Sequence, residues 1–120
     1  MALLLLSSLA SPVTYTPAQL ALEAHPPDAP QVPWRQFSGY VDVGERGKLF
    51  FWFVESQEDP IDDPVMLWTN GGPGCSGMLG FLTENGPFRP TPDGKLELNE
   101  YAWNKLGSMV YIEQPVGVGF

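Results

Sequence analysis

Asn70-Gly71-Gly72-Pro73-Gly74-Cys75-Ser76-Gly77 follows a run of β-formers, Val65-Met66-Leu67-Trp68, and leads into an apolar segment, Met78-Leu79-Gly80-Phe81-Leu82. A strand that delivers a glycine-rich turn to the start of a helix aims several backbone N–H groups at one point. Glycine permits that approach because it has no Cβ, and the start of a helix favours negative charge. Such a turn can hold an oxyanion or a carboxylate. Pro73 has no N–H, so the donors are Gly71, Gly72 and Gly74. Phosphate-binding turns use the same physics, but no Gly-Lys-Ser/Thr follows and Gly-x-Gly-x-x-Gly is absent in register. On their own, the glycines read equally well as a tight structural turn with no ligand.

Around this turn stand further motifs in order. Phe37-Ser38-Gly39-Tyr40-Val41 and Leu49-Phe50-Phe51-Trp52-Phe53-Val54-Glu55-Ser56 precede it. Glu84-Asn85-Gly86-Pro87-Phe88, Trp103-Asn104 and Ile112-Glu113-Gln114-Pro115-Val116-Gly117-Val118-Gly119-Phe120 follow it. From about Phe37 onward the chain closely resembles the N-terminal part of the serine carboxypeptidases, α/β-hydrolase peptidases that remove C-terminal residues at acid pH. The fold class implied is α/β: the N-terminal part of an α/β-hydrolase sheet, an antiparallel β-hairpin followed by parallel strands, incomplete within these residues.

The resemblance implies roles residue by residue. In an α/β-hydrolase, one oxyanion-hole donor comes from the loop after the third strand. The matching position is the Gly72 N–H. Losing one such donor costs about 2.7–4 kcal/mol of transition-state stabilisation. The family recognises the substrate's free carboxylate with an asparagine side chain, a glycine N–H and protonated glutamate, which match Asn70, Gly71 and Glu84. A protonated carboxylic acid donates a hydrogen bond to a carboxylate, which ties binding to acid pH. By composition alone, Glu84 reads as a solvated residue at a helix C-terminus. Cys75 is the only cysteine. A lone cysteine is ordinarily a buried thiol, whereas the resemblance implies a disulfide to a downstream residue outside this chain.

The nucleophilic serine, its Gly-x-Ser-x-Gly elbow, the aspartate and the histidine do not occur among these residues. Ser76 is no substitute, because Gly74-Cys75-Ser76-Gly77-Met78 lacks the elbow. The 120 residues by themselves are therefore expected to be inactive as a peptidase. Gly77 stands where the family often has a second serine, which loosens the helix start by up to about 1 kcal/mol. The implied substrates are peptides with a free C-terminal carboxylate, with no cofactor and no metal. A carboxypeptidase-like acyltransferase shares these loops, and a non-catalytic truncated product is the reading from a different class.

Composition limits the alternatives. Net charge is −8 over 120 residues, and no basic patch is present to neutralise nucleic-acid phosphates. The chain is short for an α/β-hydrolase and stops within a motif that family members continue with serine and tyrosine. It therefore reads as an N-terminal fragment lacking the C-terminal part of its own fold; a complete small domain is the alternative. No segment approaches the roughly 20 apolar residues of a membrane span. Residues 1–10, with Ala2-Leu3-Leu4-Leu5-Leu6 and the small-x-small ending Ser8-Leu9-Ala10, read as a signal peptide. The implied location is the secretory pathway, ending in a vacuole or lysosome or outside the cell.

Residues 11–34 are proline-rich and read as a linker or propeptide-like segment. His25, the only histidine, lies there and reads as a bystander. Residues 35–120 form the hydrolase part. Alternation predicts strands over 36–43 and 48–54 joined by a turn at Gly44-Glu45-Arg46-Gly47. Short strands are predicted over 65–69 and 108–113, parallel and adjacent, with 65–69 left as an unprotected edge. A buried helix is predicted over 76–84, stopped by Asn85-Gly86-Pro87, and a turn at Pro92-Asp93-Gly94. The acidic run Glu55 to Pro64 reads as a solvated loop. A calcium site there is disfavoured by its two prolines and lack of glycine.

Overall fold

The computed structural model describes residues 22–119. The signal-peptide reading of residues 1–10 and the linker reading of 11–21 lie outside the described residues. Strand β1 (Leu22–Glu23) pairs antiparallel with β2 (Gln36–Asp42), which pairs antiparallel with β3 (Lys48–Val54). The β2–β3 turn has φ +71° at Gly44 and +103° at Gly47, the left-handed region that glycine enters without strain. Strand β4 is Val65–Trp68. The chain then passes through the glycine turn into α1 (Gly77–Leu79) and a π-helical turn over Gly80–Glu84. A small hairpin, β5 (Phe88–Pro90) with β6 (Leu96–Leu98), precedes β7 (Ser108–Ile112).

The main sheet runs β1-β2-β3-β7-β4. Strand β7 is antiparallel to β3 and parallel to β4, with Met66 opposite Met109 and Trp68 opposite Tyr111. The predicted hairpin and the predicted parallel neighbours are thus both present. Among the described residues, β4 is paired on one side only. Its alternate side chains Met66 and Trp68 pack on the core, while Val65 and Leu67 are 65% and 64% exposed.

Val54, Phe81, Phe88, Met109 and Tyr111 form the buried core. Trp52 and Tyr111 meet the Phe81 ring at centroid distances of 5.3 and 5.2 Å. Phe81 therefore fastens the helical segment to the middle of the sheet, and full burial of such a side chain stabilises by about 1.5–3 kcal/mol.

Three expectations need adjustment. The helix over 76–84 changes pitch at Gly80, where the Asn85 N–H donates to the Gly80 carbonyl at 3.0 Å. It is also not buried all round: Leu79 and Thr83 lie on an exposed face, while Gly77, Gly80 and Phe81 are buried and Met78 and Leu82 are half-buried against the core. The acidic run is not wholly solvated. Glu55 is buried and takes the Arg35 guanidinium at 2.6 Å, and Ser56 Oγ donates to Asp63 at 2.5 Å. Residues 22–34, within the segment read as a linker, belong to the packed body. Leu22 and Glu23 extend the sheet, and Ala29, Val32 and Trp34 pack against the core.

Candidate active-site turn

Because β4 and β7 are parallel neighbours, their carboxyl ends open on the same edge of the sheet. Each is followed by a glycine-rich loop, over residues 69–76 and 114–119 respectively. In open α/β sheets this is the edge where ligands are handled.

In the first loop, Gly72 and Gly74 have φ of +140° and +94°. A Cβ on Gly72 would stand 3.1 Å from Cys75 Sγ and 3.3 Å from the Cys75 nitrogen. The dihedral therefore favours glycine at Gly72, and the space around it is tight. Gly71 and Gly72 are exposed, and neither N–H donates to another group among the described residues. Cys75 is exposed with a free thiol, in contrast to the buried thiol that a lone cysteine suggests.

The structure brings Asn70 and Glu84 together. Asn70 Nδ2 donates to Glu84 Oε1 at 3.1 Å, and Asn70 Oδ1 accepts from Trp68 Nε1 at 3.0 Å. The indole N–H can only donate, so it sets which end of the Asn70 amide faces Glu84. One Nδ2 hydrogen is used by Glu84, and the other remains. Trp68 is held in turn by Trp103, edge to face at 5.5 Å. Gly80 leaves room for this arrangement: a Cβ there would collide with Trp68 Nε1 and stand 3.0 Å from Asn70 Oδ1. Glu84 ends the helical segment, and its carbonyl accepts from Arg89 Nη2 at 3.4 Å.

Trp68 and Gly80 are the residues that sequence reading missed. Trp68 falls in the strand and Gly80 in the helix that the sequence predicts, and no local pattern signals that an indole will reach two residues along the chain. Ser76 caps α1, its Oγ accepting from the Met78 N–H at 3.1 Å and donating to Glu113 Oε1 at 2.5 Å. His25 packs on the Phe88 ring and contacts the Pro30 carbonyl. It borders a cleft of about 260 Å³ on whose walls none of Asn70, Gly71, Gly72 or Glu84 stands.

With this geometry in view, the family model for serine carboxypeptidases matches residues 26–120. The chain belongs to the serine carboxypeptidase family. It is 51% identical over 119 residues to the lysosomal protective protein of Mus musculus, covering 98% of this chain and 25% of that protein. It is 52% identical over 87 residues to carboxypeptidase Y homolog A of Phaeosphaeria nodorum, covering 72% of this chain and 16% of that protein. Among solved structures it resembles Kex1(delta)p, a prohormone-processing carboxypeptidase from Saccharomyces cerevisiae, with TM-score 0.64 and 39% identity. That match covers 72% of this chain and 20% of the other. The chain therefore spans a quarter or less of the length of these relatives. No helix among the described residues is long and apolar enough to cross a membrane.

Proposed function

We propose that these residues supply the oxyanion turn and part of the carboxylate clamp of a serine-type carboxypeptidase, which releases C-terminal amino acids from peptides at acid pH through an acyl-enzyme. The observation that carries this reading is the Asn70–Glu84 hydrogen bond beside the uncommitted Gly71 and Gly72 N–H groups.

The chemistry follows from what each group has left to give. The substrate's terminal carboxylate accepts from the second Nδ2 hydrogen of Asn70, from the Gly71 N–H and from the proton of a neutral Glu84. When the nucleophile attacks the scissile carbonyl, charge builds on its oxygen, and the Gly72 N–H donates to it there. A donor that meets charge formed only in the transition state raises kcat rather than ground-state binding. The serine, histidine and aspartate that form and break the acyl bond are outside these residues. The relative named a lysosomal protective protein supports a place in the secretory pathway, with a vacuole or lysosome, or the cell exterior, as the destination.

The test uses the full-length polypeptide containing these residues and a blocked dipeptide at pH 4 to 6. Asn70→Ala should raise KM for the free-acid substrate about tenfold or more, the value of a hydrogen bond to a charged group. KM for the matching C-terminal amide should change little. Equal losses on acid and amide would remove the clamp.

A further inference from the structure

We propose that Glu113 is a positioning residue for the oxyanion turn, acting through Ser76. This rests on the carboxypeptidase reading for its catalytic consequence, but not for its structural one. Glu113 lies just beyond β7, only 2% exposed, and its backbone N–H donates to the Phe50 carbonyl at 2.9 Å. The sheet therefore holds it from below. Its Oε1 accepts from Ser76 Oγ at 2.5 Å and faces the Met78 N–H at 3.4 Å. Ser76 follows Cys75 directly and is the N-cap of α1.

Two close approaches lock the same joint. A Cβ on Gly77 would collide with the Ile112 carbonyl, so the start of α1 rests on the end of β7. A Cβ on Gly119 would collide with Glu113 Oε2, so the second glycine loop folds back over the same carboxylate. That Oε2 is buried with no hydrogen-bond partner among the described residues. Burying a carboxylate oxygen in this way is costly, and an apolar residue would fill the space without that cost. What the carboxylate contributes is an acceptor for the Ser76 hydroxyl, tying the 70–77 turn to the end of the neighbouring parallel strand. Ser76 Oγ needs an acceptor to donate to while it caps Met78, and Glu113 provides it.

A displaced oxyanion donor lowers kcat and leaves the carboxylate clamp largely intact. In the full-length polypeptide, Glu113→Ala and Ser76→Ala should each lower kcat about tenfold, counted per active site titrated with a serine-directed inhibitor. KM for a free-acid dipeptide should stay within about twofold. Affinity for a peptide aldehyde, whose adduct carries the oxyanion, should fall in step with kcat. Glu113→Gln keeps an acceptor for Ser76 and should retain most of the activity. The double variant should be no worse than either single one, as residues acting as one unit require. Losses that multiply, or a loss in KM with kcat unchanged, would overturn the proposal. Hydrogen exchange at the amides of residues 70–78 reads the joint without any turnover. Faster exchange in Glu113→Ala and Ser76→Ala supports the tie, and unchanged exchange overturns it whether or not the protein cleaves peptides.

Discussion

Asn70 Nδ2 lies 3.1 Å from Glu84 Oε1, although the two stand 14 positions apart along the chain with a turn and a helical segment between them. A straight run of helix rises about 1.5 Å per residue and would carry Glu84 away from the turn. The segment instead returns past the turn, with Gly77 against the end of β7 and Gly80 against Trp68. In full-length protein, Glu84→Gln should keep a hydrogen-bond donor that cannot ionise. Its KM for a free-acid dipeptide should stay within about threefold of the wild type, while Glu84→Ala should raise it about tenfold or more. Equal KM values for Glu84→Ala and the wild type would remove Glu84 from substrate recognition.

Trp68→Phe keeps the ring against Trp103 but removes the N–H that orients Asn70. The amide is then free to present either end. The expected result is a KM about two- to tenfold higher, the value of one ordinary hydrogen bond, with kcat nearly preserved. Steady-state kinetics on acid and amide substrates check it, and the amide should be insensitive.

Gly80→Ala drives a methyl group into the Trp68 indole, which stands 2.7 Å from that position at Cδ1 and is backed by Trp103. Overpacking of this kind costs about 1–3 kcal/mol. Urea unfolding should show the loss, together with a raised KM as Trp68 shifts away from Asn70. A variant as stable as the parent would show that the indole yields without cost.

Tyr111 is fully buried and its hydroxyl has no hydrogen-bond partner among the described residues. Burial pushes its phenol well above the usual tyrosine range. The folded state therefore disfavours the phenolate. This contribution to stability is complete below the unfolded value of about 10 and is lost as pH rises above it. Tyr111→Phe should be neutral or stabilising at pH 7, because an unpaired buried hydroxyl is removed. It should also flatten the alkaline fall in stability, measured by denaturant titration from pH 8 to pH 11.

Among the described residues, strand β4 has an open backbone edge beside the exposed Val65 and Leu67. The 120-residue chain should self-associate through it. Leu67→Lys should reduce light scattering at a fixed concentration without disturbing the packed face formed by Met66 and Trp68. Equal scattering would place the association elsewhere.

Local chemistry alone determined a good deal of this protein. Alternation marked β2 and β3, the β-branched and apolar runs marked β4 and β7, and Asn85-Gly86-Pro87 marked where the helical segment stops. These signals are short-range, and the structure agrees with them to within a residue or so. The ordered motifs also led to the family, and named Asn70, Gly71, Gly72 and Glu84 as a group. Other features were decided only by packing between distant segments. The sequence does not say that Gly80 accommodates an indole, that Trp68 orients Asn70, or that Glu113 reaches Ser76 across 37 residues. Nor does a proline-rich stretch reveal that Val32 and Trp34 lie against the core. Each of these depends on which surfaces meet when the strands pair. That is a property of the folded chain as a whole, and no window of neighbouring residues contains it.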